Sequence, residues 1–262
     1  MGRLWHPVVF GAVTVALLRV HPAAAWDSAN RNPTHPTHTY LTEYAIRELK
    51  HEHPDVDNYR KQLIAGSNTE IHELPIKCTR YGVDFNERRA NRYIGTNAGC
   101  KRPDLIWSDA QDACRQGKKE LAYFLIGVLL HQIQDMGVPA HAHDIYHQGN
   151  ATEFDNFEFM ALWNWKPDFL GIDKQDPRVK DPAAYADPSA YHEFSRKWCI
   201  EDVPHYASRK QFSKTWTFAS PDERKLLRKR EAATAMVTKW ALAAAVIACE
   251  PLRAGSDRRN AH

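Results

Sequence analysis

The chain has 262 residues, of which 43% are hydrophobic and 26% charged. This composition excludes a disordered chain and a short disulfide-dominated mini-domain, and the length suits one sizeable domain. The 35 Lys+Arg against 32 Asp+Glu give a formal net charge of +3, too small to argue for nucleic acid or acidic lipid as a partner. Two counts stand out, 14 His and 8 Trp. Histidine is the commonest metal ligand, so its placement along the chain matters.

Residues 1–25 read as a secretory signal peptide. Arg3 precedes a mostly apolar run over residues 8–18, and Ala23-Ala24-Ala25 supplies small residues at a cleavage site. The run is too short for a membrane span, which needs about 20 apolar residues. A mature domain of residues 26–262 beginning at Trp26 is expected, secreted or periplasmic, with no transmembrane anchor there or later. All five cysteines, Cys78, Cys100, Cys114, Cys199 and Cys249, lie in this part. An oxidising compartment allows two disulfides and one thiol. Cys78 with Cys100 is the favoured pair because both lie in one loop-rich stretch. No C-x-x-C occurs, which argues against a thiolate zinc finger.

Apolar residues recur at helical spacing in most of the mature chain, so the expected fold class is all-α. A first helix spans residues 38–50, with Leu41, Tyr44, Ala45 and Leu49 on one face and Thr37 as N-cap. A second spans 105–116. The third, 118–136, is apolar nearly all round: Leu121, Phe124, Leu125, Val128 and Leu129 form one side, widened by Ala122, Ile126 and Leu130. Such a helix is central and buried. Residues 152–165 form another, rich in Phe and Trp. Asp187-Pro188 opens one through Trp198, with Pro at its first position. Ser220-Pro221-Asp222-Glu223 is a capping box opening the last, which runs to about Cys249. Its basic run, residues 224–230, reads as a solvated face, and His192 as a surface or capped side chain. The stretches 74–103 and 166–188 are long loops of the kind that often carry function.

The chemistry concentrates where the third helix ends. His131 and Asp135 are four residues apart and share a helix face. Gly137-Val138-Pro139 breaks the helix, and His141, His143, Asp144 and His147 follow. A histidine and a carboxylate on a buried helix need partners. Imidazole with carboxylate and no thiolate suits a catalytic metal such as zinc.

The string His131-x-x-x-Asp135-x-x-x-Pro139-x-His141-Ala142 resembles the zinc-binding signature of the bacterial zinc-dependent phospholipases C, which share a superfamily with the fungal single-strand-specific zinc nucleases. The resemblance extends outward. Those phospholipases begin with a Trp whose amino group and carbonyl bind zinc, matched by Trp26. A His opens their first helix about a dozen residues on, matched by His38. The helix leading into the signature is similar, and Phe154-Asp155-Asn156-Phe157 resembles the next helix, where an acid binds zinc. Coverage is good from Trp26 to about Phe157 and weak beyond.

The resemblance implies a single-domain multi-helix bundle carrying three Zn2+ ions. One would take Trp26, His38 and Asp135; a second His131, Asp135 and Glu70; a third His141 and Asp155. Glu70 and Asp135 would be catalytic, Glu70 by positioning or deprotonating the attacking water. Two positions depart from the family pattern. Asp84 stands where the family has a His and becomes the candidate ligand there, and Ala151 stands at another family His, which reduces the expected zinc to three or two. The implied activity is a phospholipase C, a monomer acting at a membrane surface to release diacylglycerol and a phosphorylated head group. The alternative is a nuclease cutting single-stranded nucleic acid, since the nucleases have Asp at the position of Asp155. An alternative of another class is an inactive zinc-binding protein of the same fold. The acid that helps hold a choline-type head group falls on Ala29, which leaves head-group preference open.

Overall fold

A computed structural model of the chain describes residues 37–69, 103–143, 186–204 and 220–249. Among these residues the fold is all-α, with eight helices and no strand. The signal segment, the expected helix at 152–165, and Cys78 with Cys100 lie outside the described residues. Helix α5 (Lys119–Asp135) is the central element, buried without a break from residue 125 to residue 135. A helix apolar on all sides must be surrounded. Five others surround it: α1 (Thr37–Leu49), α3 (Arg60–Ser67), α4 (Pro103–Arg115), α7 (Ala190–Asp202) and α8 (Pro221–Cys249). Leu121, expected in the buried stripe, is 45% exposed. It belongs to the first turn of α5, before the helix enters the bundle.

The helix boundaries follow local chemistry. α1 turns Leu41, Ala45, Ile46 and Leu49 inward at helical spacing, with His38 and Thr42 on the same buried side. Thr37 is the first helical residue rather than the cap. α4 buries Ile106, Trp107, Ala110 and Ala113. It ends on Gly117, whose φ of 70° lets Gly117 N–H reach the Cys114 carbonyl and Lys118 N–H the Ala113 carbonyl, at 3.0 and 2.9 Å. That paired closure needs a left-handed residue, and glycine adopts it without strain.

α2 (Asp55–Asn58) and α3 were not expected from sequence, because Val56 and Leu63 are their only fully buried large apolar side chains. α6 (Pro139–Ala142) is a single turn with Pro at its start, just past the predicted break.

α7 (Ala190–Asp202) differs from the predicted 187–198 at both ends. Asp187 Oδ1 accepts the Ser189 N–H at 2.9 Å, forming a turn that delays the helix and leaves Pro188 outside it. The helix continues a turn past Trp198 because Trp198 and Cys199 are both buried. Trp198 stacks on Trp240 at 6.3 Å, with Phe194 edge-on to both. His192, read as a surface or capped side chain, is buried on the same helix.

α8 starts as predicted, with Pro at its first position and Ser220 Oγ accepting the Glu223 N–H at 3.1 Å. It is long and apolar enough to cross a membrane, contrary to the reading from sequence. However, 67% of that apolar window is buried against the rest of the molecule, as in a core helix. Arg230 departs from the solvated face expected for residues 224–230. It is 1% exposed, pairs with Asp202 at 2.9 Å and donates from Nε to the Gly137 carbonyl at 3.2 Å. Its neighbour Glu231 is buried too, and Glu231 Oε1 makes no hydrogen bond among the described residues. Burial pushes the Glu231 carboxyl up to about 8, against a smaller lowering by Arg228.

The observed disulfide joins Cys114 at the end of α4 to Cys249 at the end of α8. Lys119 reinforces this corner by donating to the Cys249 carbonyl and to Asp55, both at 3.2 Å. Cys199 is a buried thiol that donates to the Gly137 carbonyl at 3.3 Å.

Two stability predictions follow from these contacts. The disulfide closes a loop with a sequence separation of 135 residues. Replacing Cys114 and Cys249 by Ser is expected to cost about 2–4 kcal/mol, a fall of about 5–15 °C in Tm; thermal melts unchanged by the substitution would refute this. Glu231 keeps its proton in the folded chain up to about pH 8 but releases it near pH 4.5 when unfolded. Its contribution to stability is therefore present below the unfolded pKa and lost as pH rises toward 8. Glu231→Gln should gain Tm relative to wild type as pH goes from 5 to 8, whereas parallel pH profiles would contradict it.

Candidate metal centre

The last two turns of α5 carry His131 and Asp135 on one face. The first turn of α1 delivers His38 to the same point. All three side chains are fully buried, and one ligand atom from each lies within 4.8 Å of the others. His38 Nε2 is 3.5 Å from Asp135 Oδ1, and His131 Nε2 is 3.4 Å from Asp135 Oδ2. The two imidazole rings stack with centroids 4.2 Å apart and planes 19° from parallel.

The opposite nitrogen of each ring is already engaged. His131 Nδ1 donates to the Ser67 main-chain carbonyl at 2.9 Å. His38 Nδ1 donates to Gln134 Oε1 at 2.6 Å, and Gln134 Nε2 donates to Thr42 Oγ1 at 3.0 Å. A neutral imidazole that donates from Nδ1 carries a lone pair on Nε2. Both Nε2 atoms thus stand toward a carboxylate at distances longer than an ordinary hydrogen bond. Neither oxygen of Asp135 makes a hydrogen bond among the described residues. With both rings neutral, lone pairs against a buried carboxylate would repel, and a cation held among them would make every contact attractive. The spacing suits this. Ligand bonds of about 2.0–2.1 Å in a tetrahedral arrangement put ligand atoms about 3.3 Å apart. The three residues therefore form a group that can hold a metal ion.

This convergence depends on two glycines. α3 and α5 cross backbone to backbone at Gly66 and Gly127, where a Cβ on either residue would come 2.9 Å from the Cα of the other. It would also overlap a carbonyl oxygen, that of Phe124 or of Leu63. Ser67 follows Gly66, and His131 lies one turn past Gly127, so the close crossing is what brings the Ser67 carbonyl onto the ring. Asn68 ties the same end of α3 to α1, donating to Thr39 Oγ1 and to the Ile64 carbonyl, both at 2.8 Å. The end of α5 is fixed from the other side. The Gly137 carbonyl accepts from Arg230 and Cys199, and a Cβ at Gly137 would strike the Thr234 side chain.

Of the eight candidate ligands, the structure brings together His38, His131 and Asp135. His141 is buried on α6 and is not one of the three. Trp26, Glu70, Asp84 and Asp155 lie outside the described residues. The sequence reading gave no role to Gln134, Thr42, Ser67, Gly66 or Gly127. The glycines were detectable as breaks in otherwise helical patterns, which often mark close backbone approach. No known protein family and no curated protein matches the chain.

If these residues hold a metal, a divalent ion at a thousandfold excess over its Kd should stabilise the fold by about 4 kcal/mol. Asp135→Asn should lose most of that increment; an equal thermal shift in wild type and variant would dismiss the centre. Gly127→Ala should weaken the metal-induced shift and destabilise the metal-free chain by about 1–3 kcal/mol, the usual cost of overpacking. Unchanged melts would show that the crossing has room to spare.

Proposed function

We propose that this chain is an exported, zinc-dependent phosphodiester hydrolase, a phospholipase C releasing diacylglycerol and a phosphorylated head group. The observation that carries the proposal is the meeting of His38, His131 and Asp135 in one buried group, from positions where the phospholipase resemblance implies zinc ligands. Each imidazole faces a different oxygen of Asp135, so the one carboxylate would serve both histidine positions. In this reading Trp26 completes the position beside His38, and Glu70 the one beside His131. His141 and Asp155 would hold a third ion, with Asp84 as the remaining candidate ligand. Glu70 follows Ser67 by three residues in sequence, and Ser67 already touches His131.

Zinc ions in such a cluster lower the pKa of bound water and neutralise charge on the phosphodiester oxygens. The protein's part is positional. Asp135 and the two imidazoles are held rigid by α1, α3 and α5. Glu70 orients or deprotonates the attacking water. Export is supported by the disulfide between Cys114 and Cys249, a bond that persists in oxidising compartments. The substrate is met at a membrane surface, with the protein bound peripherally.

The zinc-loaded protein is to be assayed on vesicles of phosphatidylcholine, on vesicles of phosphatidylethanolamine and on single-stranded DNA. Diacylglycerol release that stops on chelation is the expected result. Nucleotide release instead would reassign the chain to the nucleases, and zinc binding with no hydrolysis of any substrate would leave an inactive metal-binding protein. One extra residue before Trp26 should cost a zinc ion and most of the activity, because it removes the free amine from its place.

A further inference from the structure

We propose that Gln134 is a positioning residue that selects which nitrogen of His38 faces the metal. The inference rests on the metal-centre reading. Gln134 lies between His131 and Asp135 on α5 and is fully buried. Its amide spans two residues of α1: Oε1 accepts from His38 Nδ1 at 2.6 Å, and Nε2 donates to Thr42 Oγ1 at 3.0 Å. His38 and Thr42 are four apart and share a face of α1, so one amide reaches both.

An amide has one accepting end and one donating end. With Oε1 on His38, the ring proton sits on Nδ1, and Nε2 keeps its lone pair 3.5 Å from Asp135 Oδ1. Turned over, the amide would place its NH2 group on Nδ1. The ring proton would then move to Nε2 and fill the position a metal needs. In the observed orientation Thr42 Oγ1 accepts at the far end of the amide, so the same side chain ties His38 to Thr42.

The two histidines therefore differ in kind. His131 is fixed by a main-chain carbonyl, which only accepts and cannot turn over. His38 is fixed by a side chain that can. Gln134 couples the start of α1 to the centre, and its replacement acts on one imidazole and leaves the other alone. Groups bonded to the far nitrogen of a metal-bound histidine commonly set ligand orientation and basicity.

The test uses the full chain with zinc as probe. Zinc affinity is measured by competition with a chelator, and the tautomer of each histidine by nitrogen-15 NMR of the metal-free protein. Gln134→Met, of similar length but without an acceptor, should weaken zinc binding by about 10–100-fold and shift the His38 proton toward Nε2, with His131 unchanged. Gln134→Glu, which keeps the acceptor, should restore both the affinity and the Nδ1–H tautomer. Thr42→Val should weaken binding less than Gln134→Met and carries the test if Gln134→Met does not fold. Wild-type zinc binding with unchanged affinity and His38 tautomer in these variants overturns the role of Gln134 alone. Failure of the wild-type chain to bind zinc overturns the metal centre, and this role with it.

Discussion

Asp135 is a carboxylate buried between two imidazoles, and the arrangement of the three side chains depends on how its charge is balanced. Burying a charge without partners is costly, and neither of its oxygens finds a hydrogen bond among the described residues. The surrounding groups do not relieve this. They preserve it, because each imidazole is engaged through Nδ1 on its far side and so keeps Nε2 toward the carboxylate. The donor atoms of His38, His131 and Asp135 are thus positioned together by the fold itself.

Holding that arrangement needs α3 and α5 at closer range than side chains normally permit. Helices usually pack 8–10 Å apart, which would leave the Ser67 carbonyl out of reach of His131. Gly66 and Gly127 remove the side chains that would keep α3 and α5 apart. On the other side, the buried Arg230–Asp202 pair spends its guanidinium partly on the Gly137 carbonyl, two residues past Asp135. A buried ion pair contributes little stability by itself. Here its geometry matters more, because it fixes where α5 ends and hence where the carboxylate points.

How much was legible in the sequence depended on the range of the interaction. His131 and Asp135 were readable because four-residue spacing on a helix guarantees a shared face. The centrality of α5 was readable because its apolar residues leave no polar side. His38 came from resemblance, since nothing local links position 38 to position 131. Gln134 and the Ser67 carbonyl matter only because α1 and α3 cross α5 where they do, and a main-chain carbonyl has no sequence signature at all. Arg230 was misread for a related reason. A run of like charges usually faces solvent, but one member sat on the inward side and met Asp202 from another helix. The Cys114–Cys249 pairing was equally out of reach, because it joins the ends of two helices far apart in sequence.

The bundle divides its two tasks between its ends. At one end lie the start of α5 and the last turns of α4 and α8, where the packing is apolar. The Cys114–Cys249 bond and the Lys119 contacts close that corner. At the other end lie the finish of α5, the start of α1 and the first half of α8. Thr37 Oγ1, Gln132 Nε2, the Asp135 oxygens and Glu231 Oε1 are all there, buried without a hydrogen bond among the described residues. Such groups cost stability when they are left without partners. Strain and unsatisfied polarity gather at functional sites when the surrounding structure over-determines them. α5 and α8 run through both ends, so the firmly closed apolar corner holds the polar end in register. That continuity keeps the helices together around the buried carboxylate.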